Sequence, residues 1–393
     1  YVEKRLDKDA QVSFTKELLN SISSDVPIVC IRTCGHVLVC NDAMMELSKI
    51  DKQTPQVEGG TFDVVSGEFT ENALEMIYKH LPKPTKDRIK EYMKAANSIL
   101  LSNGVTACGS DDFSTLPVDY EIIIDAYKEA YIEGLIDVRI YQQVNIPDYD
   151  TLSQFIEKGY HTLAFGKFKM GPLKLLADGS LGGRTALLNA PYSDDLENLG
   201  ISTFTQEELN RLVLLADTNG IDVAIHAIGD GCIDMVLDAI ENSSKQTNNI
   251  GRHSIIHAQL ANLSQIERMK KLGIGAQTQP IFLNSDIPII ENRLGERRKE
   301  TYLFNTMFKQ GIHTTISTDC PVEPLNPFYN LYCAISRKSI KHIGLSPFLP
   351  KEAFALEDAI TCYTVTPYYF SYEENNGYED YIAINQELNE ETL

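Results

Sequence analysis

Short apolar runs rich in β-branched residues alternate with amphipathic stretches along most of the chain, and from residue 105 the alternation is regular. Strand-like runs stand at VTACGSDD (105–112), DVRIYQQV (137–144), PLKLLADG (172–179), DVAIHAIG (222–229), HSIIHAQL (253–260), GIGAQTQP (273–280) and HTTISTDC (313–320). Between them lie helical stretches such as YEIIIDAYKEAYIEGLI, TQEELNRLVLLADTNG, CIDMVLDAIENS, LSQIERMKKLG and RKETYLFNTMFKQG. Several of these stretches stop at a glycine just before the next strand, the expected helix terminator. Strands separated by helices of this length predict parallel pairing through right-handed crossovers. Seven strands are one short of a closed (β/α)8 barrel. An open doubly wound sheet would announce itself with a glycine-rich first turn, and neither G-x-G-x-x-G nor G-x-x-x-x-G-K-[ST] occurs. The pattern therefore predicts an α/β TIM-type barrel whose first strand lies upstream of Tyr1.

The first hundred residues are less regular. KDAQVSFTKELLNSISSD reads as a helix, and VPIVCIRTCGHVLVCND as two short strands around a turn at Gly35. GGTFDVVSGEFTENA reads as a loop or hairpin, and TKDRIKEYMKAANSILLSNG as a helix ending at Gly104.

Composition narrows the function classes. Of 393 residues, 43% are hydrophobic and 23% charged, a globular balance that excludes a disordered or collagen-like chain. With 35 basic against 55 acidic side chains the net charge is −20, which disfavours nucleic acid and anionic membrane surfaces as partners. No apolar run reaches transmembrane length and no secretory leader opens the chain. The opening residues read as the middle of an element, so an N-terminal part is expected to precede them. The eight cysteines form no C-x-x-C pair, and reduced thiols in a cytoplasmic protein are the expectation.

In a barrel of this kind chemistry sits at the C-terminal ends of the strands. The polar residues there are Asp111 and Asp112, Gln143, Lys174 with Asp178, His226, His257, Gln277 with Gln279, and Asp319. Imidazole and carboxylate are the usual ligands of catalytic zinc. A buried lysine is costly as an ammonium, but on reaction with carbon dioxide it becomes an anionic, carboxylate-like ligand. Each residue also has a structural reading: a hydrogen-bonded histidine, a Lys174–Asp178 ion pair, or Asp319 as a helix cap.

Several segments together resemble the amidohydrolase superfamily, in the amidohydrolase-3 branch that contains N-substituted formamide deformylases. LKLLADGSLGGRTALLNAPY is similar to the family's fourth-strand segment, which implies Lys174 as the carboxylated metal ligand. VAIHAIGDGCID and RHSIIHAQL resemble its fifth and sixth segments, which implies His226 and His257 as ligands. TTISTDCPVEPLNPF resembles the eighth, which implies Asp319 as ligand and proton acceptor. IRTCGHVLVCNDAMMEL resembles an inserted segment with an R-x-D-G-H motif, matched at Arg32, Gly35, His36 and Asn41, with Cys34 in place of Asp and Asp42 in place of Ser. The family's strand-one His-x-His pair is absent from the 393 residues, and Ile256 stands where the family often has Glu.

The resemblance implies an insertion over 1–95, a (β/α) barrel over 96–370 and a remnant of a small β-domain over 371–393. It implies a metal-dependent hydrolase of amide-type C–N bonds, with a divalent metal (zinc by expectation), a carbamate on Lys174, and a small-molecule substrate met by His36, Asp178 and Arg184. At most one metal is expected in this chain, with little activity, and a homodimer is left open. Two rivals remain. One is a catalytically silent barrel with a regulatory or binding role. The other is a metal-free lyase or isomerase with Lys174 as a Schiff-base amine.

Overall fold

The computed structural model describes residues 14–32, 35–247, 251–374, 380, 383 and 387–393. Four short strands, β1 (Val29–Ile31), β2 (Val37–Cys40), β3 (Gly60–Asp63) and β4 (Glu68–Glu71), form an antiparallel sheet in the order β1-β2-β4-β3. Gly35 turns β1 into β2 with φ of 80°, a conformation that favours glycine. The stretch read as a loop or hairpin is the β3–β4 hairpin. Its cross-strand pair Phe62 and Phe69 stacks at 5.5 Å over a small core of Leu38, Met44 and Ile77. Asn41, from the resembling motif, is buried at a helix start. Its oxygen accepts from Ile28 and Met44 N–H, while its amide donates to the Ser23 and Val26 carbonyls.

The remaining strands are β5 (Ala107–Ser110), β6 (Arg139–Asn145), β7 (Ala164–Phe165), β8 (Phe168–Leu176), β9 (Val223–Ala227), β10 (Ser254–His257), β11 (Gly275–Thr278) and β12 (Thr314–Ile316). Seven of them form one parallel sheet in the order β12-β11-β10-β9-β8-β6-β5, with β7 added antiparallel to β8. The seven strands and their order match the expectation. Among the described residues β5 and β12 are the two ends of this curled sheet, with no strand joining them.

Helices between the strands begin where the sequence supplies caps. Gln206–Thr218 starts with a Thr205–Glu208 capping box and Leu263–Leu272 with an Asn262–Gln265 box, the latter ended by Gly273 at φ 70°. The helix expected over RKETYLFNTMFKQG is shorter, Phe304–Lys309, because its first residues wind into a 3-10 turn. Residue 95 lies inside the helix Lys86–Ser102, which packs on the helix Tyr120–Ile132. The C-terminal segment 371–393, expected to be part of a β-domain, lies partly outside the described residues, and those of it that are described include no strand. Among the described residues the cysteines are free and no helix is long and apolar enough to cross a membrane.

Candidate metal centre

Parallel register brings the candidate donors to one end of the sheet. Leu176 of β8 is level with His226 of β9, and His226 with Ile256 of β10, so Lys174, His226 and His257 ride on three adjacent strands. Lys174 and Leu176 share a face; Lys174 is buried while Leu176, one step nearer the strand end, is 37% exposed. The His226 and His257 rings meet edge to face with centroids 4.5 Å apart.

Each ring has one nitrogen committed to the protein. His226 Nε2 lies 3.1 Å from the Gly179 carbonyl and 3.3 Å from the Asp178 carboxylate. Both are acceptors, so Nε2 carries the hydrogen and Nδ1 keeps its lone pair in the neutral ring. His257 Nδ1 lies 2.7 Å from Gln279 Oε1. The Gln279 amide is itself oriented, because its Nε2 donates to the Gln277 carbonyl and to Ser317 Oγ, both at 3.0 Å. Gln279 thus offers its oxygen to His257, and the lone pair falls on His257 Nε2. Among the described residues neither His226 Nδ1 nor His257 Nε2 has a hydrogen-bond partner. An imidazole held at its outer nitrogen with the inner lone pair presented is the usual state of a metal-ligating histidine. Burial, with the neighbouring His226 and Lys174 adding to it, holds His257 well below the usual histidine range, so it is neutral at neutral pH.

The charges that act on Lys174 are those of Asp111 and Asp319, with no ion pair to Asp178 among the described residues. Burial pushes its amine down from the usual lysine value, and Asp111 and Asp319 partly oppose that shift. Asp111, at the end of β5, is pushed up by burial and accepts from Asn145 Nδ2 at 3.2 Å. Asn145 is in turn the β6 partner of Lys174. His257 and Asp319 both have left-handed backbones, φ 73° and 53°. Such strain costs on the order of 1–3 kcal/mol per residue and clusters at functional sites.

The other expected site residues divide. His36 reaches the centre from the β1–β2 turn, its ring 5.0 Å from His226. Asp178 is beside His226 but spent on structure. Its two oxygens accept from Leu187 N–H at 2.9 Å, Ile228 N–H at 3.0 Å and Gly229 N–H at 2.8 Å, which ties the loop after β8 to the loop after β9. Arg184 is turned to Asp194, with Nε at 3.2 Å and Nη2 at 3.1 Å from its two oxygens. Gln279 and Asp111 stood among the polar strand ends in the sequence without an assigned role. Glu71, which binds His36, lies 35 residues from it in a hairpin with no pattern pointing to the barrel.

Among the described residues no three His, Cys, Asp or Glu side chains are grouped to hold a metal by themselves. The two locked imidazoles and Lys174 stand on three successive strands of the sheet. Two imidazoles with a carboxylate-bearing lysine are donor types that suit one divalent cation, and Asp319 acts on the lysine by its charge.

Residues 6–378 match the model of the amidohydrolase family. The chain belongs to that family. It is 33% identical over 357 residues to the putative amidohydrolase YtcJ of Bacillus subtilis, covering 89% of this chain and 66% of that protein. It is 24% identical over 374 residues to the N-substituted formamide deformylase of Arthrobacter pascens, covering 90% and 66%. Both relatives support the amidohydrolase-3 branch, and the chain spans about two thirds of their length. An uncharacterized metal-dependent hydrolase from Pyrococcus horikoshii superposes with a TM-score of 0.72 at 31% identity, covering 94% of this chain and 72% of that one.

Proposed function

We propose that this chain forms the barrel of a metal-dependent hydrolase that cleaves an amide-type C–N bond in a small molecule. The observation that supports this best is the pair of locked imidazoles, His226 and His257, beside the buried Lys174. The Lys174 amine attacks carbon dioxide, forms an N–C bond and releases a proton, giving a carbamate. That carbamate, His226 Nδ1, His257 Nε2 and Asp319 would hold the cation, with zinc the best match to these donors. The chemistry such a cation would supply is acidification of a water toward neutral pH and polarisation of the substrate carbonyl.

This chain's residues do the rest. Asp319 accepts the proton of the attacking water and returns it to the leaving nitrogen. Asp178 and Gln279 keep the two imidazoles in the ligating tautomer. His36, its ring 5.0 Å from that of His226, is the candidate for contact with the substrate.

The test is amine release from a panel of N-substituted formamides and N-acyl amines by the whole protein supplied with zinc and bicarbonate. Release that is abolished by a chelator and by Asp319→Asn is expected. Hydrolysis indifferent to both, or no cleavage of any amide, would overturn the reading.

A further inference from the structure

The floor of the parallel sheet, at the strand ends opposite the candidate donors, is crossed by the helix Thr366–Ser371 and the residues just after it. We infer that Tyr368–Glu374 is a clasp on this floor, and that it positions the candidate donors by fixing the spacing of the strands that carry them. The clasp stands on its own contacts; only its effect on a metal rests on the hydrolase reading above.

Strand after strand is met at its N-terminal end. His313, just before β12, stacks on Tyr369 with ring centroids 3.6 Å apart. Phe370 lies on Gly275, the first residue of β11, so closely that a Cβ there would come 2.3 Å from Phe370 Cζ. Arg252, two residues before β10, has its guanidinium carbon 4.3 Å from the Tyr369 ring centre and 3.9 Å from that of Tyr372. The same guanidinium donates to Glu374 at 2.5 Å and to the Tyr369 carbonyl. Asp222, just before β9, accepts from the Tyr372 hydroxyl at 2.7 Å. Lys169, near the start of β8, donates to the Ser371 carbonyl at 2.6 Å and lies 5.5 Å from the Tyr372 ring centre. Arg139, which opens β6, donates to the Tyr368 hydroxyl at 2.9 Å. Tyr372, at the middle of these contacts, has a left-handed backbone with φ of 57°, a strain that persists where the surroundings impose it.

An open sheet has a freedom that a closed barrel lacks. Neighbouring strands twist against each other over a range of roughly −10° to −35°, and closure is what fixes their tilt and stagger. Among the described residues no strand joins β5 to β12, so backbone pairing leaves the curl unfixed. The clasp supplies a second frame. Cations laid on aromatic faces and hydrogen bonds to one short segment hold the strand starts at set distances. The held strands include β8, β9 and β10, which carry Lys174, His226 and His257, and β12, which leads to Asp319. Ligands to one ion must be placed to within about 0.5 Å, and a strand that pivots at its floor moves its far end most. Clasp and donors sit at opposite ends of the same strands, so one positions the other without touching it.

The test compares Phe370→Ala and Tyr372→Ala with Leu237→Ala, a truncation at a fully buried position of the outer helix Asp230–Thr247, as the control for stability alone. Hydrogen exchange without metal is read first, in urea adjusted so that all variants have the same global stability. The clasp variants should exchange about tenfold or more faster than the control in β6 and β12. Faster exchange confined to residues 366–374, or the same pattern in the control, would overturn the clasp. Zinc affinity is read second, by competition with a chelating dye in bicarbonate. The clasp variants should bind zinc about tenfold or more weakly than the control. Equal affinity would overturn the positioning role. A parent that binds no zinc would overturn the hydrolase reading and the positioning role with it, while the exchange pattern still decides the clasp. If a truncation does not fold, Tyr372→Phe, which loses only the hydroxyl on Asp222, decides in the same way, with about threefold as the expected change.

Discussion

Strands β9 and β5 belong to one parallel sheet and differ in almost everything else. All five residues of β9 are buried, flanked by β8 and β10, and the strand carries His226. In β5, Ala107 and Gly109 are exposed, and among the described residues the strand pairs on one side only, with β6. Burial on both faces lets the central strands hold polar donors whose outer bonds are all met. The outer strand is itself half exposed, and the carboxylate just past its end, Asp111, is held by a neighbour, Asn145.

One substitution made at both places shows the contrast at its extremes. At Gly229, just after β9, a Cβ would come 1.9 Å from the Leu187 carbonyl oxygen, a backbone atom that has no room to yield. Gly229→Ala should therefore destabilise by more than about 4 kcal/mol, in the rare severe class, or prevent folding. At Gly109 in β5 the nearest atom to a Cβ is the flexible Gln143 Nε2 at 3.6 Å, an ordinary contact. Gly109→Ala should stay within roughly 1 kcal/mol of the parent and raise stability slightly by restricting the unfolded chain. Urea unfolding of the two variants checks this; similar losses would erase the distinction between the strands.

Asp178→Ala comes next in size. It leaves the Leu187, Ile228 and Gly229 N–H groups without their carboxylate, at an expected cost of roughly 3–5 kcal/mol. It should also loosen His226, which sits 3.3 Å from the same carboxylate. A loss below about 1 kcal/mol in urea unfolding would show that this carboxylate is not what joins the two loops.

A smaller effect is set by pH. Asp286 accepts from Tyr302 and Gln259 in the packed region beyond β10 and β11, and burial pushes its carboxyl from the ordinary 3.8 up to about 6. Between those values the folded chain holds a proton that the unfolded chain has released. The contribution of this group is full below about pH 3.8, declines as pH rises to about 6 and stays low above it. Relative to Asp286→Asn, the parent should lose roughly 2–3 kcal/mol more between pH 4 and pH 7. Parallel stability curves for the two proteins would contradict it.

The same contrast explains what the sequence revealed. The central strands were legible because apolar runs and strand-end polar residues repeat with the βα spacing, so Lys174, His226, His257 and Asp319 could be named as a group. The order of the seven strands followed from crossover geometry. Contacts made across loops were not legible. Asp178 reads as a strand-end acid, yet its partners are backbone N–H groups 9, 50 and 51 residues away. Arg184 reads as a substrate contact from its place in a resembling segment, and a nearby acid, Asp194, takes it. Glu71 gave no signal, because alternation in a short hairpin says which face a residue occupies and not which other element that face meets.

The central claim is that His226, His257, Lys174 and Asp319 hold one divalent cation. The direct measurement is elemental analysis of zinc per chain after equilibrium dialysis against zinc and bicarbonate, in the parent, His226→Ala and Lys174→Ala. Zinc rising to no more than one equivalent in the parent and lost in both variants is the predicted result. Two tightly held equivalents in the parent, or zinc retained by either variant, would contradict it.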